Sequence, residues 1–71
     1  MTRRFEFIGG NSAKFYEVTV TGNSVTVRYG RLGTSGQTQT KSFADAATAQ
    51  KHADAQIAQK IGKGYRETAA V

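Results

Sequence analysis

The residues best suited to chemistry lie between Val27 and Gly36, where two arginines, one tyrosine and three glycines fall within ten positions. Arg28, Tyr29, Gly30 and Arg31 form their centre. A guanidinium makes planar, bidentate contacts to phosphate, and an adjacent aromatic ring offers a stacking surface for a base or sugar. Gly30 lacks a Cβ, so a ligand backbone could approach closely there. A packing reading stands beside this one. Strict alternation puts Tyr29 on the same side as Val25 and Val27, toward a core, and on these residues alone packing is the stronger reading. Against it, Tyr29 ends its strand beside a glycine that can turn the chain outward.

Other chemistries find little support. The one histidine, His52, lies within a helical stretch and has no second histidine, cysteine or carboxylate cluster with which to share a metal, so it reads as a surface helix residue. Ser12, Ser24, Ser35 and Ser42 fall in turns or at strand ends, none with a histidine nearby in sequence. Glu6, Glu17, Asp45, Asp54 and Glu67 are scattered and read as solvated positions. The string "GRLGTSG" resembles a phosphate cradle only superficially. A P-loop needs Gly-Lys-Ser/Thr opening a helix, and these glycines lead into a threonine-rich strand, so the string reads as a turn. The expectation is a non-enzyme that needs no cofactor and no metal.

Ten Lys+Arg against five Asp+Glu give a formal charge of +5. That excess favours polyanionic partners, and it equally serves to keep copies apart. At 71 residues without cysteine, a chain of this size buries only about 60% of its unfolded surface. Stability must come from apolar packing and backbone hydrogen bonding, and there is little room for a catalytic cleft. Apolar runs are too short to span a membrane, no targeting signal is visible, and a cytoplasmic location is the default.

The elements that must position these residues follow from periodicity. "RRFEFIGG" reads as a strand ending in a turn. Tyr16, Val18 and Val20 alternate with Glu17, Thr19 and Thr21, and after Gly22-Asn23 the pair Val25 and Val27 alternates with Thr26 and Arg28. Two β-branched runs joined by Gly-Asn predict a tight hairpin. "QTQTKSF" predicts a further partner strand with one exposed side. From Asp45 the period lengthens: Ala46, Ala49, Ala53, Ile57, Lys60 and Ile61 mark one stripe of a helix. Asp45 is its N-cap, Lys60 and Lys63 suit the negative end of its dipole, and Gly62 or Gly64 takes a left-handed cap. Tyr65 then anchors a short tail that could add an edge strand before "TAAV" frays. The expected fold is α+β, an antiparallel sheet of four to five strands with one helix on one face. It forms a single domain over residues 1–71, with its core at about 3–67.

In this order the motifs resemble the WGR domain, named for a Trp-Gly-Arg tripeptide. The family occurs in poly(ADP-ribose) polymerases and in many bacterial proteins, some described as molybdate-regulator-like. The likeness runs from about Lys14 to Tyr65. It takes in the hairpin, the G-R-L-G-T-x-G-Q string from Gly30 to Gln37, the K-x-F exit at Lys41–Phe43, and the terminal Lys63-Gly64-Tyr65. By position the tripeptide falls on Tyr29, Gly30 and Arg31, with tyrosine in place of tryptophan. The resemblance implies a non-catalytic module that binds nucleic acid or contacts other domains. Arg28, Arg31, Lys41 and Lys14 are then expected at phosphates and Tyr29 at a sugar or base, the polymer being DNA by preference. The alternative is a protein-docking module that uses the same surface or an exposed sheet edge.

Overall fold

The computed structural model describes residues 2–68. Five strands and one helix follow in the order β1 (Thr2–Gly9), β2 (Ser12–Thr21), β3 (Ser24–Arg31), β4 (Gln37–Ser42), α1 (Ala46–Gly62) and β5 (Arg66–Thr68). The strands form one antiparallel sheet in the spatial order β4-β3-β2-β1-β5. The expected α+β architecture is therefore present. Two-residue turns at Gly10-Asn11 and Gly22-Asn23 fix the β1–β2 and β2–β3 registers, pairing Gly9 with Ser12 and Thr21 with Ser24.

Alternation gives the sheet two dissimilar faces. Phe5 of β1, Tyr16 and Val18 of β2 and Val25 of β3 join Ala49, Ala53 and Ile57 of α1 in one buried cluster. Val20, Val27, Tyr29, Phe43 and Tyr65 pack around it. The alanines let the helix backbone come close, and the strands supply the bulk. Burying a side chain such as Phe5 contributes about 1.5–3 kcal/mol.

The helix register differs from the stripe expected at its two ends. Ala46 is exposed, and so is Ile61, at 52%. Each residue turns an α-helix by about 100°, so three i+4 steps from Ala49 carry Ile61 about 120° around the axis. The buried stripe is Ala49, Ala53 and Ile57, with half-buried His52, Gln56 and Lys60 on its flank. Asp45 caps the N-terminus as expected, accepting the Thr48 amide at 2.7 Å. At the other end Gly64, not Gly62, adopts positive φ, at 104°. The Gly64 amide donates to the Ile61 carbonyl and the Tyr65 amide to that of Lys60, each at 3.0 Å, the paired bonds of a Schellman cap.

Three strand expectations also change. β2 begins at Ser12, four residues before the first alternating residue, Tyr16. β3 runs through Gly30 to Arg31, so Tyr29 does not end its strand. All six residues of β4 are exposed, on both sides, because α1 packs over β2 and β3 and does not reach the edge. The tail does add an edge strand, β5, which pairs with β1 through Arg4↔Thr68, Phe5↔Glu67 and Glu6↔Arg66. Thr68 belongs to that strand; the remainder of "TAAV", residues 69–71, lies outside the described residues.

Candidate nucleic-acid interface

The alternation that sorts the core also separates the candidate residues. Arg28 faces away from the helix. Its neighbour Glu17, directly across on β2, accepts from the Arg28 Nε and NH2 groups at 3.1 and 3.0 Å, and the Ser35 carbonyl accepts from NH1 at 2.9 Å. Arg4 completes the arrangement by also donating to Glu17 and Glu6. The two guanidiniums lie over the Phe15 ring, at 4.8 Å for Arg4 and 5.0 Å for Arg28. Phe15 is only 2% exposed although it lies on the face without a helix. Arg28 thus roofs a small second core. Glu17, expected as a solvated carboxylate, is its pivot. Burial alone would push the Glu17 carboxyl up, but hydrogen bonds from Arg4 and Arg28 outweigh that and hold it below the usual range.

The glycines of "GRLGTSG" complete this roof. Gly36 has φ of 70°, and a Cβ there would collide with the Tyr29 carbonyl oxygen and lie 2.8 Å from Phe15 Cζ. A Cβ on Gly30 would lie 2.8 Å from the Gly36 Cα. The two glycines let the loop fold back onto β3 and close over Phe15. The missing Gly30 side chain therefore serves the loop's approach, while Gly30 itself also lines the wider end of the groove described next.

The helix side carries the other candidates. Tyr29 is half-buried, with its ring 6.5 Å from that of Tyr16 and its hydroxyl 3.3 Å from Gln37 Oε1. Both readings of Tyr29 meet here: it packs at the rim of the core and still presents a ring to solvent. A groove runs past it along the helix. One end, about 250 Å³, is lined by residues that include Val25, Val27, Gln39, Lys41, His52 and Gln56. The other, about 620 Å³, includes Asn11, Lys14, Arg31, Leu32 and Tyr65. Tyr16, Tyr29 and Lys60 line both. Of the candidates, Lys14, Tyr29, Gly30, Arg31 and Lys41 line this groove; Arg28 does not.

Lys60 is the functional candidate that the sequence reading placed elsewhere, as a dipole-compensating member of the apolar stripe. Its Nζ lies 4.7 Å from the Tyr16 ring centre and 5.6 Å from that of Tyr65. Burial, then Lys63 and Lys14, pull its pKa below that of an ordinary lysine. The visible signal was a lysine three residues from Ile57 and four from Gln56 on a face turned inward. His52, read as a surface residue, is half-buried with its ring 4.8 Å from Phe43.

Charge is partitioned accordingly. Arg3, Arg4 and Arg28 pair with Glu67, Glu6 and Glu17, whereas among the described residues Lys14, Arg31, Lys41 and Lys60 have no ion-pair partner, and neither do Lys51, Lys63 and Arg66 outside the groove. No carboxylate lines either end of the groove. Lys14 and Arg31 are also direct cross-strand partners, a like-charge pairing that works against the sheet.

Family comparison agrees with this geometry: the model of the WGR domain matches residues 1–71, the whole chain. The chain belongs to the WGR family. Some members of that family bind nucleic acid, and the family is a small binding domain with no catalytic class indicated. This WGR domain is 45% identical over 67 residues to protein YehF of Escherichia coli, and 39% identical over 67 residues to the uncharacterized protein YfeS of the same organism. Each alignment covers 94% of the chain but only 24% and 28% of the respective relative. A crystal structure of a Bacteroides fragilis protein superposes with a TM-score of 0.95 at 49% identity, over 97% of this chain and 20% of that one. Among the described residues there is no grouping of three or more histidines, cysteines or acids that could hold a metal, and no helix long and apolar enough to cross a membrane.

Proposed function

We propose that this WGR domain binds DNA along the helix-side groove, with Lys14, Arg31, Lys41 and Lys60 at phosphates and Tyr29 stacking on a sugar or base. The observation that carries this reading is the charge partition. Arg3, Arg4 and Arg28 are neutralised by nearby carboxylates, while four cations gather around one aromatic-floored groove with no acid among them. Like charges gathered without counter-charge are unfavourable in the free protein and become favourable when a polyanion supplies the missing charge.

Salt titration of binding to a short labelled duplex tests it. Four neutralised phosphates give a log–log slope of about −3.6. Arg31→Gln lowers affinity and reduces the slope by about one unit. Tyr29→Ala removes an uncharged ring, so affinity falls by ~1–3 kcal/mol while the slope holds. Arg28→Gln leaves the slope at the parent value and lowers the melting temperature, because it opens the roof over Phe15. Equal slopes for the parent and Arg31→Gln would sink the proposal. Binding to a protein partner that persists at high salt, without DNA binding, would favour the docking role instead.

A further inference from the structure

The smaller end of the groove holds more polar chemistry than phosphate binding uses. Gln39 of β4 and Gln56 of α1 both line it, with His52 beside Gln56's end of the helix face and the Val25, Val27, Tyr16 and Tyr29 side chains beneath. Among the described residues neither glutamine side chain hydrogen-bonds to the protein. Phosphates call for cations, and Lys41 and Lys60 at this end supply them. Carboxamides are suited to something else. Each offers donors and an acceptor side by side, the complement of a nucleobase edge. A base can present that edge, together with a free π-face, only when it is unpaired and unstacked.

Building on the DNA-binding reading, we propose that this end of the groove receives the base of an unpaired nucleotide in a strand. Tyr29 would contact its face, Gln39 and Gln56 its hydrogen-bonding edge, and Lys41 and Lys60 the flanking phosphates. A space of about 250 Å³ with an apolar floor is of the right order for one planar base and too small for a duplex. The domain is then a reader of single-stranded segments, and the cations of the wider end hold the adjoining backbone.

The test compares three labelled probes at one salt concentration: a blunt duplex, the same duplex with a four-nucleotide overhang, and a single nucleoside monophosphate. The parent should bind the overhang probe roughly tenfold more tightly than the blunt one, as hydrogen bonds to the edge of one base allow. The monophosphate should bind far more weakly than either. In the double variant Gln39→Leu with Gln56→Leu the ratio between overhang and blunt probes should collapse toward one. Arg31→Gln should weaken both probes and keep the ratio. Equal affinity of the parent for blunt and overhang probes overturns the proposal, and so does a ratio that survives the double variant. A monophosphate that binds as tightly as the overhang overturns it too, in favour of a free-nucleotide site. If none of the probes binds, the DNA-binding reading itself fails, an outcome distinct from those three.

Discussion

Lys60 shows how one side chain can be placed against its own comfort. Its ammonium is partly desolvated and repelled by Lys63 and Lys14, which is why its pKa is lowered, and the Tyr16 and Tyr65 rings offset part of that cost. A residue that is unfavourable for folding and favourable for anion binding predicts a divergence between the two. Lys60→Met keeps the stem and removes the charge, so the melting temperature should stay level or rise while DNA affinity falls and the salt slope shrinks by about one unit. A clear drop in melting temperature would show that the ammonium supports the fold. Individual roles of this kind were only half legible in the sequence. The types of Lys14, Tyr29, Arg31 and Lys41 announced anion chemistry. Which face each would join depended on pairing, and that sent Arg28 to the other side with Glu17.

Between the elements, the loop from Gly30 to Gly36 makes the closest backbone approach. It must bring its backbone against β3 and the Phe15 ring, and Gly36 meets both demands at once, positive φ and absence of a side chain. Gly33 also has positive φ, at 90°, but a Cβ there would meet nothing. Two substitutions separate the demands. Gly33→Ala should cost about 1–2 kcal/mol for the backbone conformation alone. Gly36→Ala should cost about 2–4 kcal/mol by adding the collision with Tyr29 and Phe15. A thermal melt of each should therefore place Gly36→Ala several degrees below Gly33→Ala; equal melting temperatures would mean that the close approach is not needed. The strands and the helix were legible because period 2 and period 3.6 are local signals. The second core under the loop was not, since Phe15 is two residues from Glu17 and eleven or more from the groups that cover it, Arg4 and Arg28 on other strands and Gly36 in the loop. The exposed Ile61 was likewise misread, because a stripe counted in steps of four drifts around the helix.

For the molecule as a whole, the carboxylates sustain the fold and the free cations face outward. Three acids have lowered pKa values. Glu17 is held down by Arg4 and Arg28 against the effect of burial, Glu67 by its hydrogen bond from Arg3, and Asp45 by its cap on Thr48. A carboxyl whose folded pKa lies below its unfolded one adds stability above the unfolded value, near 4 for these residue types. That contribution fades as pH falls from there through the lower folded values. The melting temperature should therefore be level from neutral pH to about 5 and decline below about 4. In Glu17→Gln the parent's advantage should shrink as acid is added, since protonation removes from the parent what the substitution has already removed. An advantage that stays constant to pH 3 would show that Glu17 acts by shape and not by charge.

The strand order has a consequence for architecture. β1 and β5 are neighbours, with Arg4 beside Thr68, so the polypeptide enters and leaves the sheet at one edge. A module with adjacent doorways can be spliced into a surface loop of a host without prying the host's strands apart. The Escherichia coli and Bacteroides fragilis relatives, in which this domain fills only 20–28% of the chain, have room for such grafting. The same adjacency makes the fold a natural substrate for circular permutation: joining the two doorways and cutting at Gly22-Asn23 would rewire the chain while leaving every groove residue in place.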